Sequence, residues 1–302
     1  MSVFTGSGVA VCTPFDKAGK FNCQAYEKLI HFQINSGTDA IVACGTTGEA
    51  TTLSKDEHIE VVRCAVAFAK DAGERAGRKV PVIAGAGGND TANCVEMGKA
   101  LVKAGAHALM CVTPYYNKTS QKGLVQHFSA IAAAVDVPIV LYNVPSRTAL
   151  NMLPSTLYEL SRVPNIAAIK EASGDIVQVA EMIELCGDTI TMYSGNDNHV
   201  VPMLSLGGKG VISTIANILP AQVHWMVSSY LEGDHKTSLD LQLGILPLVR
   251  LLFVDVNPMP VKAALNLMGY DVGVCRLPLT DIDESLYVNL KEEMTRYGIL
   301  GA

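Results

Sequence analysis

Lys170 ends the apolar run Ile166-Ala167-Ala168-Ile169, where a charge is costly. Bounded by Pro164 and by Ser173-Gly174, the run reads as a strand buried on both faces. An ammonium there loses hydration and gives up its proton more easily. A neutral amine attacks carbonyl carbon, so Lys170 is a candidate Schiff-base nucleophile. The competing reading is a lysine that snorkels from a strand end into an ion pair with Glu171 or Asp175.

Other apolar runs also end in polar groups. Gly45-Thr46-Thr47-Gly48-Glu49 reads either as a turn into a helix capped by Thr47 or Ser54, or as N–H groups and hydroxyls offered to a small carboxylate. In Tyr142-Asn143-Val144-Pro145-Ser146-Arg147-Thr148, Tyr142 is either a packed aromatic or a proton relay beside Lys170. Arg147 is either solvated or a fork for a carboxylate. Tyr115-Tyr116, in Thr113-Pro114-Tyr115-Tyr116-Asn117, places two large aromatics in a loop, which suggests an anchor or an interface. Strand seven ends in Ser194-Gly195-Asn196-Asp197. Among other lysines, Lys209 precedes strand eight and is expected at the opposite face. Lys262 opens a helix after Pro260 and is expected to be solvated. Gly207-Gly208 is in the wrong register to cradle a phosphate.

These segments need a scaffold that gathers strand ends. Apolar runs recur at Gly8–Cys12, Ala40–Cys44, Val80–Ala84, Ala108–Val112, Pro138–Tyr142, Ile166–Ile169, Ile190–Tyr193 and Gly210–Ser213. Helix-period segments separate them. Ser54 to Lys70 is the clearest, with Ser54 and Glu57 as a capping box and Ile59, Val62, Val66 and Ala69 on one stripe. Asp90 to Lys103 and Gln121 to Val135 read alike. Continuous apolar strands alternating with helices predict a parallel sheet, and eight such units predict a closed (β/α)8 TIM barrel whose reactive face is the carboxyl end of the strands. The first βα turn, Thr13-Pro14-Phe15-Asp16, lacks the glycine fingerprint of a dinucleotide fold. The expected division is a catalytic barrel over residues 1–219 and a C-terminal helical subdomain over residues 220–302. The tail helices fall at Ala221–Leu231, His235–Phe253, Pro260–Met268 and Asp283–Tyr297, with a break at Asn257-Pro258-Met259-Pro260.

Composition narrows the partners. The 302 residues are 49% hydrophobic and 17% charged with net charge −6, and no Lys/Arg-rich run occurs, which argues against nucleic acid and anionic membrane. No signal peptide and no bilayer-spanning run are expected. Eight scattered cysteines without a C-x-x-C pair, and seven histidines without a ligand cluster, read as a reduced, cytoplasmic protein with no metal site.

In combination and order, Gly45 to Glu49, Thr113 to Asn117, Tyr142 to Thr148, Ile169-Lys170-Glu171-Ala172, Gly210 to Ser213 and Asn257 to Lys262 resemble the dihydrodipicolinate synthase family of the N-acetylneuraminate lyase superfamily. The resemblance runs essentially end to end. It implies a lyase of the diaminopimelate and lysine pathway, whose substrates are pyruvate and L-aspartate 4-semialdehyde. Lys170 would form the pyruvate imine and Tyr142 would relay protons, with Thr46 and the Tyr116 of a neighbouring subunit linked to it. Thr47 would hold the pyruvate carboxylate, Arg147 the semialdehyde's carboxylate, and Gly195 and Ile212 would line the pocket. No cofactor is implied, because the imine itself stabilises the carbanion. A homotetramer built from two dimers is implied as well.

In the same family an effector site for lysine lies at the dimer interface, and Ala50, Lys55, His58, Asn89, Asn93 and Tyr115 fall on it. Lys55 stands where a histidine is often found and Asn93 where a glutamate contacts the effector's amino group, so weak or absent lysine feedback is expected. Two other functions compete: a related pyruvate aldolase acting on N-acetylneuraminate or a 2-keto-3-deoxy sugar acid, and a non-catalytic barrel that binds 2-oxo acids. Arg147 after Pro145-Ser146, and Thr46-Thr47 rather than Ser-Thr, favour the synthase type.

Overall fold

The structure, a computed structural model, describes residues 3–301. The apolar runs form β1 (Gly6–Ala10), β2 (Ala40–Ala43), β3 (Val82–Gly85), β4 (Ala108–Val112), β5 (Ile139–Asn143), β6 (Ile166–Glu171), β7 (Thr191–Ser194) and β8 (Gly210–Ser213). They pair in sequence order and in parallel, and β8 closes on β1, giving the expected (β/α)8 barrel. Alternate side chains fill the interior, including Val42, Ile83, Met110, Val140 and Ile212. Those of opposite phase, such as Val9, Ile41, Leu109 and Leu141, pack under the helices. Burial on both faces explains why the strands read as unbroken apolar runs.

Closure makes one strict demand. At the β1–β8 seam Gly6 pairs with Gly210, where φ is +156° and a Cβ would lie 1.9 Å from the Gly6 carbonyl oxygen. Only glycine fits there. The first strand is displaced from expectation: Val11 still donates its N–H to the Val42 carbonyl at 3.1 Å, but Cys12 leaves the ladder and donates to Asn217 Oδ1 at 3.1 Å.

The helices between the strands are α1 (Cys23–Asn35), α2 (Lys55–Arg75), α3 (Thr91–Lys103), α4 (Gln121–Ala132), α5 (Pro145–Thr148), α6 (Pro154–Leu160), α7 (Ile176–Cys186) and α8 (Val200–Ser205). The capping box at Ser54 and Glu57 is present, so Ser54 rather than Thr47 starts α2. Asp90 and Asp175 cap α3 and α7 with their carboxylates. That occupies Asp175, one of the two partners weighed for Lys170.

The tail is α9 (Pro220–Leu231), α10 (His235–Leu252), α11 (Met259–Leu267) and α12 (Glu284–Arg296). The helix that opens it, α9, packs against β1 and also against α10, so the tail is continuous with the barrel wall. Among the described residues no helix is long and apolar enough to cross a membrane.

Candidate active site

Register brings the expected reactive side chains together. Lys170 on β6 pairs with Tyr142 on β5 and with Tyr193 on β7. Its Nζ lies 4.5 Å from the centre of the Tyr142 ring, and the residue is only 5% exposed. Among the described residues no carboxylate lies within ion-pair reach of it. The expected competitor is otherwise engaged: Glu171 accepts from Asn143 Nδ2 at 2.9 Å and from the Ser173 N–H at 2.6 Å. The ion-pair reading of Lys170 therefore fails. Burial pulls its pKa from the usual 10.5 to about 8, with the Asp197 charge opposing and the Arg147 charge assisting.

Tyr142 is buried, and burial raises its phenol above the ordinary value, against the pull of Arg147 and a hydrogen bond with Thr46. Tyr142, Thr46 and Arg147 share the wall of a cavity of about 300 Å³ at the carboxyl ends of the strands. Lys170 is not itself in that wall and meets the cavity through Tyr142. Thr47 is buried beside the cavity, where its Oγ1 accepts from Asn257 Nδ2 at 2.9 Å. Arg147 donates to the Asn257 carbonyl oxygen at 3.5 Å. Asn257 thus links both expected carboxylate-binding residues to the tail.

Gly195 lies beside Lys170, Ile212 lies in the barrel interior, and neither is in the cavity wall. A Cβ at Gly195 would sit 2.6 Å from Ala172 Cβ and 3.1 Å from Lys170 Cγ, so glycine there leaves room for the lysine stem. Ile212 is fully buried in the interior cluster that holds Tyr142 and Tyr193. Tyr116 is not brought to the site by its own chain. It is 93% exposed, with φ at +68°, an unusual conformation for a bulky residue.

All six expected effector residues, Ala50, Lys55, His58, Asn89, Asn93 and Tyr115, line a second cavity of about 420 Å³. Ala50, His58 and Tyr115 also line the first cavity, so the two adjoin. Lys55 Nζ is 3.4 Å from Glu96, and Asn93 Nδ2 donates to Asp90 at 3.2 Å. His58 contacts the Gly85 carbonyl oxygen at 2.8 Å, and burial lowers its pKa.

One expectation is reversed. Lys262 is not solvated but 2% exposed, and its Nζ lies 2.6 Å from the Glu49 carboxylate in the cavity wall. It also donates to the Val274 carbonyl at 3.1 Å and lies 4.1 Å over the Phe15 ring. Glu49, at φ +52°, accepts from the Arg276 N–H at 2.9 Å. Arg276 also pairs with Glu57, whose pKa it pulls down to about 2. The α11 helix, Met259-Pro260-Val261-Lys262-Ala263-Ala264-Leu265, held the signal: a charge amid apolar residues, as at Lys170.

Comparison with known proteins fits this geometry. The profile of the Dihydrodipicolinate synthetase family matches residues 3–296. The chain is 51% identical to a protein of Thermoanaerobacter sp. (strain X514) named 4-hydroxy-tetrahydrodipicolinate synthase, over 99% of each chain. It is 50% identical to the protein of that name from Lachnoclostridium phytofermentans, over 99% of this chain and 100% of the other. The crystal structure of dihydrodipicolinate synthase from Thermotoga maritima superposes with a TM-score of 0.95 at 37% identity, covering 99% of this chain and 100% of that one. The motifs, the barrel and the end-to-end likeness agree, and the chain belongs to the dihydrodipicolinate synthetase family.

Proposed function

We propose that this chain condenses pyruvate with L-aspartate 4-semialdehyde to give 4-hydroxy-tetrahydrodipicolinate, the reaction after which its relatives are named. The observation that carries this reading is a buried lysine with no carboxylate in ion-pair reach among the described residues, set over a tyrosine at the carboxyl face of a barrel. With a pKa of about 8, roughly a tenth of Lys170 is neutral at pH 7, against about 1 in 3,000 at the usual 10.5.

Neutral Nζ attacks the ketone carbon of pyruvate, and loss of water leaves a protonated imine. A methyl proton then departs, and the electron pair moves toward the imine nitrogen to form an enamine. The enamine carbon attacks the aldehyde carbon, whose oxygen takes up a proton. The amino group of the bound semialdehyde next attacks the imine carbon, closing the ring and releasing Lys170. Tyr142, which shares the cavity wall with Thr46, suits proton transfer in these steps. Thr47 suits the pyruvate carboxylate and Arg147 the carboxylate of the second substrate. The chemistry needs no metal or organic cofactor, since the imine accepts the electron pair.

The assembly that suits this site is a homotetramer of two dimers. The exposure of Tyr116 supports it, since that side chain is free to reach a neighbour's cavity while standing away from its own. We infer a cytoplasmic location from scattered cysteines without the spacing of a disulfide framework. Lysine feedback should be weak, because Lys55 adds a cation to the second cavity and Asn93 offers it an amide in place of a carboxylate. A lysine titration that shows micromolar inhibition would contradict this. The function itself is tested by comparing turnover of the semialdehyde with cleavage of N-acetylneuraminate and 2-keto-3-deoxy sugar acids in the presence of Lys170. Condensation of the semialdehyde alone is expected; preferential cleavage of a sugar acid would overturn the substrate assignment.

A further inference from the structure

Cys23 is the first residue of α1, and its Sγ lies 3.6 Å from that of Cys64 in the middle of α2. Cys23 is exposed and Cys64 partly buried against the layer between the two helices. Neither takes part in the chemistry above. A disulfide needs the sulfurs at about 2.05 Å, so they have only about 1.5 Å to travel. We propose that Cys23 and Cys64 form a thiol–disulfide modification site, oxidised by low-molecular-weight disulfides to a bond that staples α1 to α2.

The order of events follows from exposure. The Cys23 sulfur, as thiolate, attacks one sulfur of the reagent disulfide and expels the other half as a thiol. Cys64 then gives up its proton, and its sulfur attacks the Cys23 sulfur of the mixed disulfide and expels the second half. Two protein thiols are oxidised to one disulfide, and one reagent disulfide is reduced to two thiols. Burial and the contact with Cys23 hold the Cys64 thiol up to about 12, which fits it for the second step rather than the first. The bond would bridge a separation of 41 positions. It would also fix α2, which begins one short turn, Ala50–Thr52, beyond the segment that carries Thr46, Thr47 and Glu49.

The test is incubation of the full chain with glutathione disulfide at neutral pH, an acid quench and non-reducing peptide mass spectrometry. The expected product joins the Cys23 and Cys64 peptides with the loss of two hydrogens, and dithiothreitol reverses it. Cys64→Ser should stop at a glutathione adduct on Cys23, and Cys23→Ser should give no cross-link. The oxidised wild type should melt about 5 °C higher than the reduced form, a gain absent from both variants. A wild type that stops at the Cys23 adduct, loses no thiol, or links another pair such as Cys12 and Cys275 would overturn the proposal.

Discussion

Lys170 and Lys262 have much in common. Both are buried, at 5% and 2% exposure. Each holds its Nζ over an aromatic ring, Tyr142 at 4.5 Å and Phe15 at 4.1 Å. Both stand near the cavity at the carboxyl end of the barrel. They differ in one group: Lys262 has the Glu49 carboxylate at 2.6 Å, and Lys170 has no carboxylate in ion-pair reach among the described residues. A buried ammonium with a carboxylate becomes a strut between barrel loop and tail. A buried ammonium without one is held closer to the neutral amine that attacks carbonyls. Burial alone does not make a lysine a nucleophile; burial that is left uncompensated does.

The largest contrast should come from deleting each lysine. Lys170→Ala should lower turnover by at least about 10⁴-fold while the chain stays folded, measured by steady-state kinetics and circular dichroism. Equal loss from a folded Lys262 variant would erase the distinction. Lys262→Met should instead cost about 3–5 kcal/mol of stability in urea unfolding, because Glu49 is left buried and unpaired. Adding Glu49→Gln should recover much of that loss, since no unpaired charge then remains.

Tyr142→Phe keeps the ring beside Lys170 and removes only the hydroxyl. It should lower kcat by about 10²–10³-fold and leave borohydride trapping of the pyruvate imine in place. Loss of trapping would mean that the ring or hydroxyl acts on Lys170 itself rather than on later proton transfers.

Protonation gives the subtlest test. The imine-forming rate should climb as pH rises through about 8 and then level off. The stability effect has the same sign. Below about 8 both folded and unfolded chains hold the proton on Lys170, and the full penalty is present. Between about 8 and the usual 10.5 the unfolded chain binds more protons, so stability rises with pH. The whole span corresponds to roughly 3 kcal/mol. Lys170→Met should gain stability at pH 7 and flatten the wild-type rise across that window. A variant with an unchanged profile would show that the lysine is not desolvated.

The same contrast explains what could be seen in the sequence. The eight strands were legible because burial on two faces leaves unbroken apolar runs. Lys170 stood out as a charge at the end of one of them. Lys262 broke the same rule inside α11, but a helix following a proline-rich break resembles a surface helix. Its partner Glu49 is remote in sequence and holds a left-handed conformation that nothing local in Gly45 to Glu49 signals. Asn257 was hidden in the same way, since its partner Thr47 lies 210 positions away. The end of β1 was misplaced because Cys12 trades the ladder for Asn217, another remote partner. Patterns set by one element's burial were readable, and pairs made across the fold were not.

The most direct test of the contrast between the two lysines is reductive trapping. The full chain is incubated with pyruvate and sodium borohydride, digested, and mapped by mass spectrometry. A lactyl-type adduct on Lys170, with Lys262 unmodified, is the predicted result. An adduct on another lysine, or none at all, would contradict it.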